Sequence, residues 1–170
     1  LMTKFTIMDD RSRHNARSTF EELLKLGAIP IVNENDSVAT DEIEFGDNDT
    51  LSAIVAAIAS ADLLVLLSDI DGLYTDDPNV NAEAEFISYV ESISDEMIEM
   101  AKGSSTSYGT GGMSAKIYAA GIANDAGTDM AIINGEDMEN INLLMEGELV
   151  GTVFKAHKTR HFHLKEYLEL

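Results

Sequence analysis

Leu63-Leu64-Val65-Leu66-Leu67 is an unbroken apolar run that stops at Ser68-Asp69. A half-buried strand alternates apolar and polar residues. This run does not, so both of its faces are predicted to be covered, as in a parallel sheet flanked by helices. Ala131-Ile132-Ile133 repeats the pattern and ends at Asn134-Gly135, and Ile29-Pro30-Ile31-Val32 precedes Asn33-Glu34-Asn35-Asp36 with its proline near the start, where a missing N–H is tolerable. Between these strands the spacing predicts helices. Residues 16–26 carry Phe20, Leu23, Leu24 and Leu26 at helical spacing before the stop at Gly27, and Asp49-Thr50 is expected to cap a helix over 49–59. Further helices are expected at 94–103, from Lys116 to about Asp125, and at 139–145. Alternating helices and strands argue for a parallel α/β sheet. Ligands of such sheets bind beyond the carboxyl ends of the strands, where the three polar loops converge.

The 170 residues carry a net charge of −20 and are 45% hydrophobic, which suits a single sizeable core. No basic patch to release phosphate counterions is expected from the sequence, so nucleic acid and anionic membranes are disfavoured as partners. No run reaches membrane-span length, the start lacks a signal-peptide pattern, and there is no cysteine. The chain reads as soluble and cytoplasmic. Leu1 stands ahead of Met2, as expected if the chain begins inside a longer reading frame. There is no internal repeat. Residues 75–85 read as a solvated excursion and 103–112 as a flexible loop.

Gly109-Thr110-Gly111-Gly112-Met113-Ser114-Ala115-Lys116 places three glycines, two hydroxyls and a lysine where a helix is expected to begin. Glycines let backbone N–H groups approach an anion, and a helix N-terminus favours negative charge. Lys116 is the only Lys or Arg between Gly103 and Phe154, and residues 26–101 contain none. The stretch is not a Walker A sequence, and alone it fits a plain flexible turn equally well. Gly46-Asp47-Asn48-Asp49-Thr50 reads as a helix cap with spare carboxylates, or as acids and an amide that orient lysines and recognise an amino group. Asn33, Glu34, Asn35 and Asp36 offer the same chemistry. Asp69-Ile70-Asp71-Gly72 starts like a calcium loop, but the later ligands do not follow.

Taken in order, IPIVNENDSV (29–38), FGDNDTLSA (45–53), LLVLLSDIDGLYTDDP (63–78) and GTGGMSAK (109–116) resemble the amino acid kinase family, over about residues 8–154. The VNEND (32–36) and GDND (46–49) blocks resemble its glutamate-phosphorylating branch, which opens proline biosynthesis. The resemblance implies a three-layer α/β/α fold and transfer of the γ-phosphoryl group of MgATP to the γ-carboxylate of L-glutamate. It implies that Asp36 and Asn48 contact glutamate with Asn33 and Asp47 nearby, and that Ser68 and Asp69 border the nucleotide. Thr110, Gly111, Gly112, Met113, Ser114, Ala115 and Lys116 would hold adenosine and phosphates, with Lys116 catalytic and Asp49 orienting the lysines.

Family members open with a Lys-x-Gly-x-Ser type loop that has no match here, so a partial kinase domain is expected over 1–156 and a divergent tail over 157–170. A homo-oligomer is expected of the complete enzyme. His157, His161 and His163 lack carboxylate or cysteine support as metal ligands and read as part of a frayed or locally helical terminus. The rival readings are a catalytically silent nucleotide-binding or assembly module and an acidic interaction domain without a ligand.

Overall fold

The computed structural model describes residues 1–35, 37, 47–76, 78, 80–103, 112–159 and 162–168, without the side chains of 102 and 103. In chain order the elements are α1 (Lys4–Met8), α2 (Asp10–Lys25), α3 (Asn48–Ala59), β1 (Leu63–Ser68), β2 (Leu73–Tyr74), β3 (Phe86–Ile87) and β4 (Tyr89–Val90). They continue with α4 (Asp95–Gly103), α5 (Met113–Ala126), β5 (Asp129–Asn134), α6 (Glu139–Met145), β6 (Thr152–Phe154) and a 3₁₀ turn, η1 (Leu164–Leu168).

A four-stranded sheet runs in the order β1-β5-β6-β4. β1 and β5 are parallel over six residues, from Leu63 opposite Asp129 to Ser68 opposite Asn134. β6 joins β5 antiparallel and β4 joins β6 parallel. β2 and β3 form a separate antiparallel pair. The sheet is thus mixed but mostly parallel, with helices on both sides, the α/β/α arrangement expected. Met130, Ala131, Ile132 and Ile133 of β5 are all fully buried, which requires cover on both faces because successive side chains point opposite ways. β1 departs from the expectation of double burial, since Leu67 is 48% exposed. α3 and α5 pack against each other through Ala53, Ile54, Ala119, Ala120 and Ala123, all fully buried. Alanines let the two helices approach closely, which brings residues at their ends within reach of one another.

Local chemistry sets the boundaries. Asp9 caps α2, its carboxylate accepting from the Ser12 N–H at 2.8 Å, so the helix begins six residues before the apolar periodicity does. The expected strand at 29–32 does not form. Ile29 and Ile31 are 88% and 95% exposed, and the nearby pairing is a single parallel bridge between Met2 and Glu34. A short apolar run becomes a strand only where a neighbour supplies a hydrogen-bonding edge, and Met2 offers one residue of it, bonded to Asn33 and Asn35. α3 is capped two residues before the expected position. Asp47, not Asp49-Thr50, is its N-cap, with Oδ1 accepting from the Thr50 N–H at 2.7 Å and Oδ2 from the Thr50 hydroxyl at 3.0 Å.

Thr152 joins the small strand pair to the main sheet. Its hydroxyl accepts from the Leu73 N–H at 2.7 Å and donates to the Ile87 carbonyl at 2.6 Å, inside a fully buried setting. Asn124 does the same for the end of α5, donating to the carbonyls of Thr128 and Phe154 at 3.0 and 3.2 Å.

Of the two forms expected for the terminus, the described residues take the locally helical one. Leu164 and Leu168 of η1 are buried in the main core, Lys165 pairs with Asp10 at 2.8 Å, and His157 Nε2 lies 3.0 Å from Asp125. The Tyr167 hydroxyl donates to the same Asp125, and the Tyr118 hydroxyl to the Tyr167 carbonyl. Burial first, then the bond to Asp125 and its charge, push the Tyr167 hydroxyl above its ordinary value of 10.0. A raised pKa favours the protonated form in the folded state. The stabilisation it adds is complete below pH 10 and is lost as pH rises through the higher folded value. Urea midpoints measured against pH are therefore expected to fall in the alkaline range above 10, and Tyr167→Phe to flatten that part of the curve. An alkaline limb unchanged by Tyr167→Phe would remove Tyr167 as its source.

Candidate functional site

Asp49 stands in the first turn of α3 and Lys116 in the first turn of α5. Their side chains meet across the helix pair, with Lys116 Nζ donating to Asp49 Oδ2 at 2.9 Å. Lys116 is 9% exposed, the one buried lysine or arginine among the described residues. A cation near a helix N-terminus opposes the dipole, and two such termini meet here, so the position is costly unless a carboxylate answers it. Asp49 does so. Burying an ion pair seldom increases stability over an apolar pair of the same volume, so the arrangement is better explained by a task for the charge.

The two helix starts differ in one respect. α3 has the Asp47 side chain on the Thr50 amide of its first turn, whereas α5 begins at Gly112 with no side-chain cap among the described residues. The first turn of α5 therefore keeps its attraction for an outside acceptor, with Lys116 beside it. Ser114 is exposed, and Met113 and Ala115 are half-buried. Asn48, first residue of α3, is exposed and holds its amide at the same end of the helix pair.

The carboxyl ends of β1 and β5 form the neighbouring edge. The Gly135 N–H donates to the Ser68 carbonyl at 2.8 Å, and Asn134 Nδ2 donates to Asp71 at 2.8 Å. The Ser68 hydroxyl donates to Asp69 Oδ1 at 3.2 Å, and Asp69 is exposed. A Cβ at Gly135 would stand 3.0 Å from that of Leu67, so glycine lets the two strand ends close together. The Asn134–Asp71 bond is one the sequence reading did not anticipate, although the polar residues after each apolar run mark this edge.

The structure thus joins Asp49 to Lys116, places Asp47 and Asn48 in the same turn as Asp49, and joins Ser68 to Asp69. Asp47 spends both carboxylate oxygens on Thr50, which makes it a structural cap first. Asn33 is exposed, and its carbonyl accepts from the Met2 N–H at 2.9 Å. Asp36, Thr110 and Gly111 lie outside the described residues. Burial, and then the Asp47 charge, raise the pKa of the Tyr118 hydroxyl, which keeps it a hydrogen-bond donor to the tail. Among the described residues no group of three His, Asp or Glu side chains could hold a metal ion. No helix among them is long and apolar enough to cross a membrane.

Comparison with known proteins bears on the fold and the family. The model of the amino acid kinase family matches residues 1–134. A glutamate 5-kinase of Clostridium tetani (strain Massachusetts / E88) is 51% identical over 158 residues, covering 93% of this chain and 59% of the relative. A glutamate 5-kinase of Carboxydothermus hydrogenoformans is 53% identical over 148 residues, covering 87% of this chain and 40% of the relative. The chain therefore spans about half the length of the curated relatives it matches. Among solved structures, the UMP kinase of Bacillus anthracis superposes with a TM-score of 0.58 at 18% identity, over 86% of this chain and 54% of that one. The isopentenyl phosphate kinase of T. acidophilum gives 0.56 at 18% identity, over 81% and 52%. At that identity the likeness speaks for the fold alone. The fold and the matched residues together lead to one statement, that the chain belongs to the amino acid kinase family.

Proposed function

We propose that this chain is part of a glutamate 5-kinase, transferring the γ-phosphoryl group of ATP to the γ-carboxylate of L-glutamate and yielding L-glutamyl 5-phosphate and ADP, the first step of proline biosynthesis. The observation that carries the reading is the buried Lys116–Asp49 pair at the uncapped start of α5. In the transfer a carboxylate oxygen attacks the γ-phosphorus and the bond to the β–γ bridging oxygen breaks. The attacking carboxylate is already ionised at neutral pH, so no general base is needed. What the protein supplies is placement and charge stabilisation. Lys116 faces the equatorial oxygens of the transferring group, and Asp49 holds its ammonium in place.

The first turn of α5, from Gly112 through Ala115, and the preceding Thr110 and Gly111 take the phosphates and adenosine, with Ser68 and Asp69 along the strand edge. Mg²⁺ bound with ATP neutralises phosphate charge. Because Mg²⁺ keeps several waters and binds largely through phosphates, a site without three converging protein ligands among the described residues suits it. Asn48 and Asp36 bind the carboxylate and ammonium of glutamate, with Asn33 beside them, and Asp47 sets the turn that presents Asn48. A cytoplasmic homo-oligomer is proposed with this activity.

The test is glutamate-dependent ADP release by the protein that carries this chain. Asn48→Ala is expected to raise KM for glutamate at least tenfold while KM for ATP changes less than threefold, since removing one partner of a charged hydrogen bond costs about 1.5–3 kcal/mol. Equal effects on both constants would show that the loop shapes the whole edge and does not select glutamate. MgATP binding without any glutamate-dependent turnover would favour the silent nucleotide-binding module instead.

A further inference from the structure

Far from the Lys116–Asp49 pair, α2, the end of α3 and the tail enclose a cleft of about 570 Å³. Arg13, Arg17 and Lys165 line it, with His14 and His163. In a chain of net charge −20, three of the eleven lysines and arginines and two of the four histidines therefore meet at one concavity. Asp10 is the sole carboxylate among the described lining residues, and it is shared. Its Oδ1 accepts from Lys165 Nζ at 2.8 Å and from Arg13 Nη2 at 2.5 Å. Lys165 first, then Arg13, hold the Asp10 carboxyl below its ordinary range. Arg17 gives its Nε to Glu21 at 2.9 Å, on the surface beside the cleft. Arg13 also donates from Nη1 to the Ile7 carbonyl at 2.5 Å. A guanidinium has five donors, so these contacts still leave each arginine with N–H groups to offer.

The opposite wall is apolar, formed by Ile58, Phe162 and Leu164. Ile58 lies nine residues along α3 from Asp49, about 14 Å at the helical rise, so this cleft is separate from the site described above.

The geometry points to a second ligand site: we propose that this cleft binds a small organic phosphate, its anionic group on Arg13, Arg17 and Lys165 and its apolar body against Ile58 and Phe162. Two guanidinium groups and an ammonium match a phosphate dianion better than a single carboxylate, because the phosphate brings two charges and three terminal oxygens to the three cations. The occupant is thus defined by a doubly charged head and an apolar body.

Titration calorimetry on the chain tests this with phenyl phosphate, inorganic phosphate and benzoate. Phenyl phosphate is expected to bind one to one, at least tenfold more tightly than benzoate and more tightly than inorganic phosphate. Arg17→Gln, a change at a half-exposed side chain, is expected to weaken phenyl phosphate at least tenfold with the far-ultraviolet circular dichroism unchanged. Arg17→Lys, which keeps the charge and loses the fork, is expected to fall between the two. Lys116→Met is expected to leave binding unaltered, which separates this cleft from the proposed kinase site. The proposal is overturned if phenyl phosphate fails to bind at millimolar concentration or if benzoate binds as well. It is also overturned if Lys116→Met abolishes binding while Arg17→Gln spares it.

Discussion

In the complete enzyme proposed to carry this chain, Lys116→Met is expected to lower kcat for glutamate phosphorylation by about a hundredfold or more. A charge facing the transferring phosphoryl group in a water-poor site is worth several kcal/mol, and a hundredfold corresponds to about 2.7 kcal/mol. The same change leaves Asp49 without its 2.9 Å partner, and breaking a buried pair from one side costs about 3–5 kcal/mol when both groups are fully desolvated. Here the Asp49 side chain is 20% exposed, so water offsets part of that cost. The two effects separate in the double variant. Asp49→Asn with Lys116→Met removes the orphaned charge, so the thermal midpoint is expected to recover toward that of the parent while kcat stays low. If kcat recovered along with stability, Lys116 would be a structural lysine and the kinase reading of the pair would fail.

Recognition from sequence succeeded where burial is extreme. The unbroken apolar run of β5 reports a strand covered from both sides, the most deeply buried of the sheet, whereas the same kind of run in β1 marks a strand whose Leu67 is left exposed. The Lys116–Asp49 pair was implied by the family resemblance, and its physical reason is that a lone cation in an acidic stretch needs a partner, which Asp49 supplies at 2.9 Å. Residues 29–32 misled because apolar content reports burial, whereas a strand also needs a hydrogen-bonding edge, which lies elsewhere in sequence. β2, β3, β4 and β6 are two or three residues long, too short for any period to show. The cap of α3 was misplaced by two residues because Asp47 and Asp49 are chemically equal on paper, and only the backbone, extended at Asp47 and helical at Asp49, tells them apart. The basic cleft was invisible for the same reason that strand pairing is. Its lysine, Lys165, lies 148 residues beyond Arg17 in sequence and meets the two arginines only when the tail packs on α2.

Gly151→Ala is expected to cost about 3 kcal/mol or more, lowering the thermal midpoint by roughly 10 °C in a chain of this size. Gly151 sits at φ +71 immediately before β6, and a Cβ there would lie 2.1 Å from the Ile132 carbonyl oxygen and 2.7 Å from Ile133 Cγ2. The first of these is backbone in the central strand, so it cannot swing away as a side chain would, and β6 must shift instead. A shift breaks the antiparallel pairing of Ile132 with Thr152 and the two hydrogen bonds through which Thr152 holds Leu73 and Ile87. Gly147→Ala is the control. It has a similar φ of +89 but nothing within 4 Å of the added carbon, so it should show only the left-handed backbone penalty of about 1 kcal/mol. Urea unfolding of the two variants side by side isolates the steric part. Equal losses would mean that β6 does not lie against β5 as the structure places it. A larger loss at Gly151, with added mobility at Ser68 to Asp71, would show that this strand helps hold the edge on which the nucleotide side of the proposed site is built.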